Sequence, residues 1–120
     1  MKTLFLASYF AAVENLFKRF LKQHFLLHKV LFIPTAGNVE PYTGYIDEGV
    51  EMLKSLGYEL EIIDISKYDE DYLKNKLSKT ECICISGGNT FYLLQELKKK
   101  NLIGLLYERI KEGLFYIGES

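Results

Sequence analysis

The sequence predicts an α/β domain in which a doubly wound, mostly parallel β-sheet carries helices on both faces. Short apolar runs alternate along the chain with segments of helical periodicity. The apolar runs are nearly continuous, which is typical of parallel strands buried on both faces. The chain has 120 residues, of which 48% are hydrophobic, and this is enough for one domain with a substantial core. We therefore expect a single domain over residues 1–120.

The first half of the chain contains three predicted strands and two predicted helices. Apolar runs predict strands over residues 3–8, 29–36 and 58–66. Between them, apolar residues recur at helical spacing over residues 13–21 and 46–56. The intervening stretch "TAGNVEPYTG" is rich in turn-forming residues. This order alternates strand and helix, as a parallel sheet requires.

The second half continues the same alternation. A polar helix is predicted over residues 69–79, a strand over 82–86, helices over 89–101 and 102–112, and a fifth strand over 114–118. Two glycines stand where helix C-terminal caps are expected, Gly57 and Gly113. In such sheets, functional residues collect at the carboxyl ends of the strands.

Charge and hydropathy argue against nucleic-acid and membrane partners. The formal net charge is −1, whereas nucleic-acid binders usually carry a basic patch. The run Lys98–Lys100 lies where a helix should end, and there it complements the helix dipole. No apolar run reaches the roughly 18 residues of a membrane helix, and the first residues fit a domain better than a signal peptide. We expect a cytoplasmic protein.

Cys82 and Cys84 are the only cysteines. They stand two apart in a predicted strand, so both side chains should project from one face, too far apart for good disulfide geometry. Two thiols are also too few for a four-ligand zinc site. We expect buried free thiols and no metal.

The stretch "SGGNTF" at residues 86–91 places two glycines between a buried strand and a helix. Gly87 and Gly88 allow a sharp turn with exposed N–H groups, and Asn89 or Thr90 can cap the helix. Such donors can hold an anion or an oxyanion. A plain tight turn is equally compatible with the spacing. The stretch lacks the third glycine of a dinucleotide motif and the lysine of a P-loop.

The stretch "GES" at residues 118–120 is the first half of a nucleophile elbow, Gly-x-Ser-x-Gly. A serine nucleophile needs a base and an orienting acid. His24 and His28 are the only histidines, and both are expected away from the carboxyl edge. Three acidic residues are expected near that edge, Glu40, Asp64 and Glu119. We expect each of them to be a solvated surface group. The residues thus offer a nucleophile without a base.

Three motifs together resemble one known family. "KVLFIPTAG", "ISGGNTFYLLQELKKKNL" and "GLFYIGES" occur in the order found in peptidase E, the aspartyl dipeptidase family of serine peptidases, to which cyanophycinases are related. The resemblance spans nearly the whole chain and implies a fold like that of class I glutamine amidotransferases. It implies that Ser120 is the nucleophile and that Gly87 and Gly88 lie beside it, with the Gly88 N–H in the oxyanion hole. Asn89 and Thr90 would line the same pocket.

The resemblance also implies what these residues do not supply. In the family, the catalytic histidine, its acidic partner and the Ala-Gly of the elbow all follow the nucleophile. We therefore expect a truncated domain that is inactive alone and that forms a homo-oligomer or pairs with a complementing fragment. The implied substrate is a small peptide with an N-terminal aspartate, and no cofactor is implied. One alternative is a catalytically silent assembly or small-ligand module, and a more distant one is a flavodoxin-like regulatory or nucleotide-binding domain.

Overall fold

A computed structural model describes residues 3–7, 14 and 29–119, which contain one five-stranded parallel sheet. The strands are β1 (Thr3–Ala7), β2 (Lys29–Ile33), β3 (Glu59–Ile62), β4 (Cys82–Ile85) and β5 (Phe115–Glu119). Their order in the sheet is β1-β5-β4-β2-β3, and each neighbouring pair is parallel. The predicted α/β fold class is confirmed.

Four described helices connect these strands. Apart from Glu14, the helix predicted over residues 13–21 lies outside the described residues. The longest described helix has 12 residues, and no helix of the described part is long and apolar enough to cross a membrane. The helices are α1 (Gly44–Ser55), α2 (Glu70–Lys79), α3 (Thr90–Lys99) and α4 (Ile103–Lys111), with short 3-10 helices at Thr35–Gly37 and Ile65–Lys67.

The helices cover both faces of the sheet, as predicted. Helix α1 packs on one face, where Val50 and Leu53 meet Phe32 of β2. Helices α2, α3 and α4 pack on the other face, where Leu97 meets Ile83 of β4. Successive residues of β4 alternate between these two clusters because strand side chains alternate in direction. The two cysteines share one face, and both are free thiols.

Strand β2 ends earlier than predicted, at Ile33 instead of residue 36. Pro34 follows it and has no N–H to donate to a neighbouring strand. The chain turns at once into the 3-10 helix, and the Gly37 N–H donates to the Pro34 carbonyl at 2.9 Å. The end of β2 is therefore a tight turn at the carboxyl edge of the sheet.

Strand β3 differs most from its prediction. It covers only Glu59–Ile62 and pairs with β2 at one edge of the sheet. Its Ile62 side chain is 50% exposed, and the Glu61 side chain is exposed too. The expectation of strands covered on both faces is thus wrong for β3. Charged residues on an edge strand hinder its pairing with other chains.

The helix ends match the sequence signals. Asp69 caps α2 by accepting a hydrogen bond from the Tyr72 N–H at 2.8 Å. Gly57 follows α1 with a φ of +93°, and Gly113 follows α4 with a φ of +111°. Glycine adopts this left-handed conformation at little cost, so both residues end their helices as predicted.

Candidate functional site

The candidate site lies at the carboxyl edge of the sheet, between β2 and β4. Strands β2 and β4 are neighbours, but the helices that follow them go to opposite faces. Helix α1 follows β2 and packs on one face, and α3 follows β4 and packs on the other. Ligands of open α/β sheets bind at such a switch point. The loops that meet there are the turn after β2 and the predicted Gly-Gly turn.

Two backbone hydrogen bonds join these loops. The Ser86 N–H donates to the Ile33 carbonyl at 3.1 Å, which extends the pairing of β4 with β2 by one residue. The Asn89 N–H donates to the Ala36 carbonyl at 2.7 Å. The Gly-Gly turn is therefore fastened at both of its ends to the chain that follows β2.

Gly88 can only be a glycine at this position. Its φ is +141°, and a Cβ would lie 2.3 Å from the Ala36 oxygen and 2.8 Å from the Gly37 nitrogen. Both contacts are with backbone atoms, which cannot move aside as a flexible side chain can. Among residues 29–119, no group accepts a hydrogen bond from the Gly88 N–H. The hydrogen-bonding capacity of the Gly88 N–H is therefore unused among these residues.

Both backbone polar groups of Gly87 form hydrogen bonds with other elements. Its N–H donates to the Glu119 Oε1 at 3.3 Å, and its carbonyl oxygen accepts a hydrogen bond from the Tyr45 hydroxyl at 3.0 Å. Glu119 is the last residue of β5. The structure therefore brings the Gly-Gly turn and the end of β5 together. Ser120, the predicted nucleophile, lies outside the described residues, as do His24 and His28.

Asn89 and Thr90 begin helix α3. The Asn89 side chain caps the helix because its Oδ1 accepts a hydrogen bond from the Tyr92 N–H at 2.9 Å. Thr90 is the first helical residue, and its side chain is exposed. Of the two predicted capping residues, Asn89 is the one that caps. Both residues stay next to the glycine turn, but their predicted roles toward a substrate remain predictions.

Asp64 forms a hydrogen-bond cluster that the sequence did not indicate. Its Oδ1 accepts from the Ser66 hydroxyl at 2.7 Å and from the Thr35 hydroxyl at 3.1 Å, and its Oδ2 accepts from the Asn38 amide at 2.8 Å. Burial raises the pKa of Asp64, but the hydrogen bonds from these three residues outweigh it, so the pKa lies below its ordinary value. The cluster ties the loop after β3 to the turn after β2.

The expectation that the acidic residues are solvated surface groups is therefore wrong for Asp64 and Glu119. Each carboxylate accepts hydrogen bonds from a neighbouring loop. A sequence pattern cannot reveal this, because the partners lie about 30 residues away along the chain. Thr35 carried a weak signal, since a threonine directly after an apolar strand and a proline is well placed to bond a neighbouring loop.

Tyr45 is the second residue that the sequence did not single out. It lies in the first turn of α1, where it contributes no obvious motif. Its pKa is raised by burial first and then by the negative charges of Glu40 and Glu119. The hydroxyl therefore stays protonated, and remains a donor to Gly87, over the whole physiological range.

The thiols of β4 lie below this edge and take no part in it. Burial raises the pKa of Cys82 to about 12, and burial also raises the pKa of Cys84 well above its ordinary value. A protonated thiol is a poor nucleophile and a poor metal ligand. The described residues contain no group of three or more potential metal ligands.

These features define a doubly wound α/β protein whose polar groups gather at one switch point of the sheet. The sequence profile of peptidase family S51 matches residues 4–120 of this chain. The chain therefore belongs to peptidase family S51, and the resemblance to peptidase E that its motifs predict is confirmed.

Curated relatives match the chain over much of its length. An uncharacterized peptidase of Listeria monocytogenes is 44% identical over 120 residues, which are 100% of this chain and 58% of the relative. An uncharacterized peptidase of Pasteurella multocida is 41% identical over 120 residues, which are 100% of this chain and 58% of the relative. Peptidase E of Salmonella heidelberg is 34% identical over 90 residues, which are 75% of this chain and 38% of the relative. The chain thus spans less than two thirds of these relatives.

Solved structures show the same fold. A candidate peptidase E protein from Listeria monocytogenes superposes with a TM-score of 0.91 at 43% identity, covering 100% of this chain and 59% of that one. A peptidase from an acI-B1 actinobacterium superposes with a TM-score of 0.71 at 22% identity, and the match covers 100% of this chain and 55% of that one. At this lower identity the likeness concerns the fold alone.

Proposed function

We propose that the chain is the nucleophile-bearing part of a serine-type peptidase that resembles aspartyl dipeptidase. The observation that carries the proposal is the hydrogen bond of 3.3 Å between the Gly87 N–H and the Glu119 carboxylate. Glu119 directly precedes Ser120 in the sequence. The bond therefore links the Gly-Gly turn to the residue beside the proposed nucleophile.

The proposed reaction is acyl transfer through the serine. The Ser120 hydroxyl attacks the carbonyl carbon of the scissile peptide bond and loses its proton to a histidine, which protonates the amine as the C–N bond breaks. Water then attacks the acyl-serine, which releases the carboxylic acid product and restores the Ser120 hydroxyl. The carbonyl oxygen becomes an oxyanion, and the Gly88 N–H stabilises it together with the N–H that follows Ser120. The unused hydrogen-bonding capacity of the Gly88 N–H supports this role.

We place the base and its acidic partner outside the 120 residues. In the family they follow the nucleophile, and the curated relatives are longer than the matched part. A serine without its base loses most of its catalytic power, so the 120-residue chain alone should be inactive. A cytoplasmic location is part of the proposal, because buried free thiols suit a reducing compartment.

The proposed substrate is a dipeptide with an N-terminal aspartate. This preference comes from the family resemblance, which includes the similarity of this chain to peptidase E of Salmonella heidelberg.

The first test is to sequence the gene beyond codon 120. A frame that continues through Ala-Gly and later encodes a histidine and an acidic residue would support the proposal, and a stop codon would overturn it for this chain alone.

The protein from the continuing frame should hydrolyse Asp-Leu, and Ser120→Ala should abolish hydrolysis. Ser78→Ala, on the exposed face of α2, is the matched control. Activity retained in Ser120→Ala would remove Ser120 from the role.

A second test separates the enzyme from a silent assembly module. A fluorophosphonate probe reacts with an activated serine, so rapid labelling that is lost in Ser120→Ala supports an assembled site. Absence of labelling in the protein from the continuing frame would favour the silent module, in which the Gly87–Asn89 turn would bind a small ligand without cleaving it.

We also propose that the isolated 120-residue chain self-associates or pairs with a complementing polypeptide. Strand β1 lies at one edge of the described sheet and pairs with β5, and its Leu6 side chain is 69% exposed. Open strand edges and exposed apolar side chains favour association. Sedimentation velocity tests this proposal, and a monodisperse monomer would contradict it.

A further inference from the structure

The Gly-Gly turn contains three consecutive peptide groups, and each is hydrogen-bonded to a different neighbouring element. The Ser86–Gly87 peptide donates its N–H to Glu119 of β5. The Gly88–Asn89 peptide donates its N–H to Ala36 after β2. The peptide between them, Gly87–Gly88, accepts a hydrogen bond from the Tyr45 hydroxyl at 3.0 Å.

The middle peptide is the one that carries the candidate oxyanion donor. A trans peptide is planar, and its C=O and N–H point in opposite directions. Fixing the Gly87 oxygen toward Tyr45 therefore fixes the Gly88 N–H toward the opposite side. The Gly87 oxygen also lies 3.5 Å from the Ser86 hydroxyl of the preceding residue, so Tyr45 supplies the shorter bond and the one that comes from another element.

This peptide needs an anchor more than most peptides do. It has a glycine on each side, and glycine gives the backbone its widest freedom. A half-turn of the peptide plane would point the Gly88 N–H toward Tyr45. The Gly87 carbonyl oxygen would then point to the side that the N–H faces in this structure. A carbonyl oxygen there would repel a developing oxyanion instead of stabilising it.

We propose that Tyr45 is a positioning residue that holds the Gly87–Gly88 peptide in the orientation required for the Gly88 N–H to act as an oxyanion donor. The proposal rests on the proposed function, because an oxyanion forms only if the protein performs acyl transfer. Tyr45 is well suited to the task, since it lies in the first turn of α1, and α1 is packed on the sheet through Val50 and Leu53.

The decisive variant is Tyr45→Phe, which removes the hydroxyl and keeps the ring. Tyr107→Phe is the matched control, because Tyr107 lies on α4, is 56% exposed and lies outside the site. Removal of an oxyanion donor typically lowers kcat by about 100-fold to 1000-fold. An unanchored donor still samples the right orientation, so we expect Tyr45→Phe to lower kcat for Asp-Leu by about 10-fold or more. The KM should change by less than about twofold, because the oxyanion exists only in the transition state.

A spectroscopic readout tests the anchor without any catalysis. Gly87–Gly88 is the only Gly-Gly pair in the 120 residues. In a protein labelled with [1-13C,15N]glycine, an HNCO spectrum of these residues therefore contains one cross-peak, which joins the Gly87 carbonyl to the Gly88 amide. Loss of the Tyr45 hydrogen bond should move the carbonyl signal upfield and broaden the amide signal. Tyr107→Phe should leave the cross-peak in place.

The two readouts separate the inference from the proposed function. An active wild type whose kcat and cross-peak are unchanged in Tyr45→Phe would overturn the inference alone. An inactive wild type whose cross-peak depends on Tyr45 would overturn the proposed function and leave the anchor established. A shifted cross-peak with an unchanged kcat would overturn the catalytic consequence of the anchor. The inference stands if both kcat and the cross-peak change.

Discussion

The Asn89 N–H donates a hydrogen bond of 2.7 Å to the Ala36 carbonyl, so the turns that follow β4 and β2 form one unit. The residues between Ala36 and α1 then connect this unit to Tyr45, whose hydroxyl bonds Gly87. A ligand at the switch point would thus meet a surface whose backbone is fixed before it binds. Preorganised backbone donors are the basis of oxyanion stabilisation, and they make the site sensitive to small changes in the glycine turn.

Gly88→Ala should destabilise the protein by at least about 2 kcal/mol, because a positive φ and a steric clash act together. The new Cβ would lie 2.3 Å from the Ala36 oxygen. Urea unfolding measures the change. Gly104→Ala is the control, since Gly104 lies in α4 with no atom within 4 Å of an added Cβ. It should stabilise by about 0.5–1 kcal/mol. Equal effects of the two substitutions would contradict this assignment of Gly88.

Asn89→Ala should lower the free energy of unfolding by about 1 kcal/mol, because the side chain caps the N-terminus of α3. Thr90→Ala should have an effect within about 0.5 kcal/mol, since the Thr90 side chain is exposed at the first helical position. Urea unfolding of both variants checks the difference. A larger loss in Thr90→Ala would mean that the cap has been assigned to the wrong residue.

The sequence predicted the fold class and the glycine turn because both depend on local chemistry. Period-2 alternation placed Cys82 and Cys84 on one face, and glycines ended helices α1 and α4. The exact strand ends were less predictable. Strand β2 stops before Pro34 for lack of an N–H, and β3 is an edge strand whose burial depends on its neighbours.

Residues that bond across the sheet edge were not predictable. Asp64 and Tyr45 act through partners that are 29 and 42 residues away along the chain. The strand order β5-β4-β2-β3 brings these partners together at one edge of the sheet, and a single sequence does not reveal strand order. The nucleophile Ser120, by contrast, was predicted from a motif and remains a prediction.

Asp64→Asn should destabilise the protein by about 1–2 kcal/mol at pH 7. The substitution replaces one carboxylate oxygen, which accepts hydrogen bonds, by an NH2 group, which can only donate them. The pKa of Asp64 is lower in the folded protein than in the unfolded chain. The ionised carboxylate therefore stabilises the fold above its unfolded-state pKa, and this contribution disappears as the pH falls through the folded-state pKa. The difference between wild type and variant should shrink below about pH 4.

Urea unfolding at pH 7 and at pH 3 measures this dependence. Glu51→Gln makes the same change from carboxylate to amide at an exposed position of α1, and its effect should stay within about 0.5 kcal/mol. A difference between wild type and Asp64→Asn that grows on acidification would show that the hydrogen bonds to Asp64 do not stabilise the ionised form.

Cys82 and Cys84 should resist alkylation in the folded protein and react fully after unfolding. Burial raises the pKa of Cys82 to about 12 and shields both sulfur atoms. Since an unfolded cysteine has a pKa of about 8.5 and only the thiolate reacts, the folded chain should react at least about 100-fold more slowly at pH 8. Mass spectrometry after iodoacetamide treatment, with and without urea, measures this ratio. A variant such as Ser78→Cys, on the exposed side of α2, provides a control thiol within the same molecule. If Cys82 were modified as fast as that control in the absence of urea, β4 could not be the buried central strand on which the glycine turn rests.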